Sequence, residues 1–445
     1  MAETAGRAAG AGRAIAGVAL AGALLALGAC GREAPAPGPG PRAAPVTVWA
    51  HAGQEAERRA LEAQAARYNA SGPVRPVRLS FLPEGGYNAQ VQAAALAGDL
   101  PCLLELDGPY LAHYVWQGRL RPLDGLLPAA LREDLLPSVL AQGRYRGRLY
   151  GVGTFDSGLG LYGRRSLLDV AGAELPEGPG EAWPVERFEA LLERLAEADP
   201  DGAVLDLGLQ LRGEWYTYAF APALHSAGGG LLAPGPDGRL RAHGVLDGPA
   251  SVAALERIQG WIRRGRVDPN LDEAAFASGR VALAWGGHWD WPRYREAWGE
   301  DLVLLPLPDF GQGSRTGQGS WVWTVTASCP HPEAAAAFLR FLLRPEEILA
   351  MTAANAAVPA RRSAVARSPL YGPGGPLRLF AEQLAGGRAV PRPRTAAYPV
   401  VTAAFQEAFA AVRDGLDVAA ALRRAAEAID RELAEGGYGA EAAGT

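Results

Sequence analysis

Stretches that read as strands and stretches that read as helices alternate along the chain. Residues 46–50 (Val-Thr-Val-Trp-Ala) are a short β-branched run, and 55–69 sets Ala56, Leu61, Ala65 and Tyr68 on one helical side. Residues 77–81 alternate apolar and polar, 87–96 reads as a helix, and 102–106 (Cys-Leu-Leu-Glu-Leu) reads as a third strand. Strand, helix, strand, helix, strand predicts a parallel sheet with helices packed on it. Ligands of such sheets gather beyond the carboxyl ends of the strands, which brings residues 51–55 and 107–109 to one edge. Farther on, 149–152 reads as a connecting strand. Helices are predicted over 164–171, 184–198 and 250–265, the second with Pro184 at its first turn. Residues 276–285 read as a turn running into a strand, and 321–326 as a strand. A helical pattern opens at Pro332 and continues to 355, and 401–433 reads as two helices split near Gly415. Residues 226–249 and 306–320 have the Gly- and Pro-rich character of loops.

The amino terminus follows a different rule. An apolar run over residues 15–27 follows Arg7 and Arg13. It is too short for the roughly 20 residues that span a bilayer, but it suits the core of a signal peptide. It ends in Leu27-Gly28-Ala29-Cys30, which resembles a bacterial lipobox. The resemblance implies removal of residues 1–29 and lipidation of Cys30, which would anchor the chain to a membrane in the periplasm or on the outer cell face. An ordinary signal peptide cut before an incidental cysteine is the other reading. Residues 30–43, rich in Pro, Gly and Ala, read as an extended tether. In an oxidising compartment the remaining pair, Cys102 and Cys329, favours a disulfide, with two buried free thiols as the alternative.

Composition narrows the chemistry. The 445 residues suffice for two or three domains, and a net charge of -5 offers nothing to draw nucleic acid. No lysine occurs: all 43 basic residues are arginine, which excludes a Schiff-base lysine and a Gly-Lys-Ser/Thr phosphate loop. G-x-S-x-G and H-E-x-x-H are absent and the six histidines are scattered, so no metal or cofactor is expected.

Several segments, in one order, resemble the extracellular solute-binding proteins of bacterial ABC sugar importers, the large family that includes maltose-binding protein. They are Val46-Thr47-Val48-Trp49 followed by Glu55, Ala97-Gly98-Asp99-Leu100-Pro101 before a strand ending at Asp107, and Gly147-Arg148-Leu149-Tyr150-Gly151-Val152. Leu161-Tyr162 through Leu168, Phe276-Ala277-Ser278-Gly279-Arg280-Val281-Ala282-Leu283, Pro332-Glu333-Ala334-Ala335 and Val358-Pro359-Ala360 continue the series. The resemblance implies an α/β, two-lobe periplasmic-binding-protein fold with interleaved lobes joined by a multi-crossing hinge. Lobe one would be residues 44–152 plus 324–385, and lobe two 153–323 plus 386–440. It also implies a non-enzymatic monomer that captures a sugar or oligosaccharide and delivers it to the transmembrane subunits of an ABC permease.

A sugar has apolar C–H faces and a rim of hydroxyls, so its site needs flat aromatic rings and fixed polar groups. The chain carries 11 Trp against 11 Phe, and six of these Trp fall in two clusters: 285, 289, 291 and 298, then 321 and 323. In Trp285-Gly286-Gly287-His288-Trp289 two glycines permit close backbone approach between flanking aromatics. Trp321 is expected to stack on ligand and Trp323 to fill the core. Trp215 lies in a further aromatic patch. Glu55, Asp107 and Asp156 are the expected carboxylates, although Glu55 could instead stabilise the helix start. Arg392 and Arg394 read as solvated charges, with a guanidinium offered to the ligand as the alternative. The candidate ligand residues are therefore Glu55, Asp107, Asp156, Trp215, Trp285, Gly286, His288, Trp289 and Trp321. Paired carboxylates among tryptophans also describe a glycoside hydrolase, which is the rival reading.

Overall fold

Two mixed sheets, each covered by helices, organise the chain. The computed structural model describes residues 44–436 and Tyr438; the expected signal peptide, Cys30 and the expected tether lie outside the described residues. The first sheet has five strands in the order Val77–Leu82, Val46–His51, Leu103–Asp107, Trp321–Val325, Gly151–Val152. Its first three strands are parallel, as the alternating pattern predicted, and Trp321–Val325 returns antiparallel with Trp321 opposite Asp107. Every residue of Leu103–Asp107 is buried, because helices cover both faces of this central strand.

The second sheet has the order Leu302–Leu305, Leu159–Arg164, Leu283–Gly287, Leu205–Asp206. Helix Val185–Ala198 turns Val185, Phe188, Leu191, Leu192 and Leu195 into its core. Burial at this 3.6-residue spacing is worth about 2 kcal/mol per large side chain. The final helices, Tyr398–Arg413 and Val418–Glu435, pack into that same core.

The lobes interleave. The chain builds the first core, crosses after Val152, builds the second, and returns with Trp321–Val325 and helices Pro332–Leu342 and Pro345–Asn355. The expected single helix over 332–355 is two, because Pro345 forces Arg344 into an extended conformation. The strand that returns to the first sheet begins at Trp321, and helix Arg378–Ala385 lies toward the second sheet. Its Phe380 packs with Tyr162, Phe276, Val281, Tyr371 and Leu377 on the second sheet's side.

Cys102 and Cys329 form a disulfide with a Cα–Cα distance of 4.4 Å. The register explains it, since each cysteine lies beside one of two paired strands that meet at Leu103 and Val325.

Candidate ligand-binding site

On the first lobe, the strand Val46–His51 delivers His51 to the sheet's carboxyl edge. The His51 backbone N–H and Nδ1 both reach Glu105 Oε2, at 3.2 and 2.8 Å. The imidazole then lies flat against Trp321, with ring centroids 3.8 Å apart and planes 2° from parallel. Tyr87 closes on the same indole edge-on at 5.1 Å, and its hydroxyl donates to the Glu105 carbonyl. Trp321 is thereby held on two sides while part of it stays exposed.

On the second lobe, strand Leu283–Gly287 ends in the turn that carries Trp289. Gly287 is required there: a Cβ at that position would lie 2.3 Å from the Trp289 ring. Gly286 makes room in the same way for Asp290, whose Oδ2 would be 2.5 Å from a Cβ. The close approach that the two glycines permit is therefore filled by their own neighbours. Asp290 accepts from the Gly287 N–H at 3.2 Å and from Arg293 Nη2 at 2.9 Å. Burial nevertheless pushes its carboxyl up to about 7. Trp289 rests edge-on against Trp215 at 6.0 Å and near Tyr218 at 6.2 Å, and it too stays partly exposed. The lobes meet at this lip: Gln54, three residues beyond His51, donates to the Trp289 carbonyl at 2.9 Å.

The floor is charged. Arg392 forms a two-pronged pair with Asp107, Nη2 to Oδ1 at 2.7 Å and Nη1 to Oδ2 at 3.1 Å, and Nη1 also reaches Glu214 Oε1 at 2.7 Å. Glu214 accepts further from the hydroxyls of Tyr398 and Thr402. The guanidinium sits over the Tyr218 ring, 5.1 Å from its centroid. Burial raises the Glu214 carboxyl above its ordinary range, with Arg392 pulling the other way.

Of the residues expected from the sequence, Asp107 and Trp321 stand opposite each other on paired strands, and Trp289 packs against Trp215. The remaining candidates sit elsewhere. Glu55 is exposed and pairs with Arg59 one turn along its own helix, where its charge suits the helix start. Trp285 is only 2 % exposed: it lies on a strand covered on both faces and packs against Phe220. His288 is buried and reaches the Asn355 carbonyl at 2.7 Å, and burial pushes its imidazole down to about 4, so it is neutral and fastens the turn to the other lobe. Asp156 is fully buried among Gln142 and the Ser157 N–H at a chain crossing. Arg392, read as a solvated charge, is instead 8 % exposed and paired twice. His51, Gln54, Glu214 and Tyr218 join the site. Only the Asp107–Arg392 charge match across 285 residues could have signalled the floor, and sequence spacing does not reveal so distant a pair.

Comparison with known proteins agrees with this architecture. The family model described as bacterial extracellular solute-binding protein matches residues 63–371. A lipoprotein in the oleD 5′ region of Streptomyces antibioticus is 24% identical over 377 residues, which is 80% of this chain and 78% of that one. Among solved structures, the GacH receptor of Streptomyces glaucescens, determined unliganded and with acarbose, superposes with a TM-score of 0.75 at 24% identity, covering 88% of this chain and 99% of that one. Maltose-bound T. maritima MalE3 superposes with a TM-score of 0.72 at 20% identity, covering 87% and 100%. These neighbours share the two-lobe α/β fold. With the family model covering more than half of its length, the chain belongs to the bacterial extracellular solute-binding proteins.

Proposed function

We propose that this solute-binding protein captures a sugar, and specifically an oligosaccharide, between Trp321 and Trp289 and hands it to an ABC permease. The observation that carries the reading is the pair of part-exposed indoles on opposite lobes, each braced from behind by aromatic neighbours. Such faces match the C–H surfaces of pyranose rings, while Gln54, His51 and the floor carboxylates offer partners to hydroxyls. Neighbours of the same fold hold acarbose or maltose, which supports the solute class. Cys30 carries the lipid in this reading, keeping the receptor at the outer side of the membrane; Cys30→Ser should release it from the membrane fraction.

The hydrolase reading loses support at the floor. A glycosidase needs one protonated acid facing one ionised carboxylate. Asp107 and Glu214 instead both bond one guanidinium, which occupies the space between them that a glycosidic bond would need. The soluble chain from residue 31, screened by thermal shift against mono- and oligosaccharides, should gain stability with at least one oligosaccharide and release nothing from chromogenic glycosides. Turnover of a glycoside, or silence across the panel alongside a response to peptides, would contradict the proposal.

A further inference from the structure

The floor triad carries an inference about the lobes themselves, one that needs only the two-lobe fold and not the identity of the solute. Asp107 ends a strand of the first sheet, and Glu214 opens the helix Glu214–Ser226, which packs in the second core. Arg392 follows strand Ala389–Pro391, which pairs with Thr316–Gln318 and lies against that same helix. Arg392 is thus mounted on the second lobe and reaches across to the first. Next to it the chain crosses between lobes at Gly319, where φ is +137° and a Cβ would stand 2.8 Å from Arg392 Nη2. A side chain there would push the guanidinium off its carboxylates. Around the triad the lobes touch again: Tyr110 packs edge-on against Tyr398 at 5.2 Å, and His113 Nδ1 reaches the Ala396 carbonyl at 2.8 Å.

We infer that Arg392 is a shared counter-ion between the lobes, a positioning residue without which Asp107 and Glu214 repel each other and hold the cleft open. The charge count supports this. Two carboxylates and one guanidinium occupy the floor, with side-chain exposures of 10%, 20% and 6%. Removing the cation leaves two carboxyl groups facing each other without a counter-ion in a weakly screened space, and opening is the motion that lets both ionise in water. The intact triad does not lock the cleft, because opening also restores water to all three groups. It sets the balance between open and closed forms, and solute affinity scales with the closed fraction.

Single-molecule FRET tests this on the ligand-free protein, with dyes on Val74→Cys of the first lobe and Val170→Cys of the second, both strongly exposed positions. Arg392→Gln should raise the open-to-closed ratio about tenfold or more. Arg392→Lys, which keeps the charge, should keep the wild-type distribution. The triple variant Asp107→Asn, Glu214→Gln, Arg392→Gln should return to the wild-type distribution, because no like charges remain. An unchanged distribution in Arg392→Gln overturns the inference, as does a triple variant that stays open. If Arg392→Gln alone does not fold, the triple variant decides: folded with the wild-type distribution supports the counter-ion role, unfolded or shifted toward open removes it.

Discussion

At the lip of the cleft, Trp321 and Trp289 keep part of their surface in water, and the lobes meet through an uncharged hydrogen bond from Gln54. At the floor, Asp107 and Arg392 are buried, Glu214 is largely so, and the lobes meet through charges. The two regions exchange water on different terms. Covering an exposed indole releases water from apolar surface at about 25 cal/mol per Å², so the lip can accept a ligand readily. Separating the floor's charges demands that each find a new partner, so the floor resists substitution by a ligand. The lip is suited to choosing the solute, the floor to setting how the lobes stand.

This division can be broken experimentally. The largest effect should come from Trp289→Ala together with Trp321→Ala, which removes both faces and should abolish detectable sugar binding by calorimetry while the circular dichroism spectrum is kept. Each single change should weaken affinity roughly thirtyfold, about 2 kcal/mol, from lost stacking and burial. Gly287→Ala ranks next. Its Cβ would overlap the Trp289 ring, so the ring must move, and affinity should fall about tenfold, with overpacking costing about 1–3 kcal/mol of stability in urea titrations. Glu55→Ala should change affinity less than about twofold, since its side chain is exposed and engaged by Arg59 on a surface helix. A loss as large as that of the tryptophans would put Glu55 in the site after all.

A smaller effect concerns pH. Asp290 titrates at about 7 in the fold, above its ordinary 3.8, so the folded state binds the proton more tightly than the unfolded chain. The stability this group contributes is complete below the unfolded value and is lost as pH rises through about 7. Asp290→Asn, which keeps an acceptor for the Gly287 N–H, should flatten the decline in melting temperature between pH 4 and 8. An identical decline in the variant would reject the assignment.

Much of the fold was legible because periodicity and turns report local structure. The first three strands and their helices and the terminal helix pair follow from apolar spacing, glycine and proline, whereas the stretch over 306–320, expected as a loop, holds the strand Thr316–Gln318. Helix Glu214–Ser226 was not legible: it is buried on nearly every side and contains Pro222, so no amphipathic stripe marks it. Site residues were read less well for a related reason. A cluster rich in tryptophan announces aromatic surface, but whether an indole faces ligand or core depends on which side of a doubly covered strand it occupies. Trp285 and Trp289, four residues apart, differ in this way: the first is sealed in the core and the second stays partly exposed. Arg392 was misread because its partners lie 285 and 178 residues away, a pairing that only the tertiary fold creates.

Calorimetric titration of the soluble chain with the oligosaccharide that gives the greatest thermal shift, repeated on Trp289→Ala and Trp321→Ala, tests the central claim most directly. The account predicts saturable binding that weakens at least about tenfold in each variant without loss of fold. Equal affinity in wild type and both variants would show that the solute is held somewhere other than between these two rings.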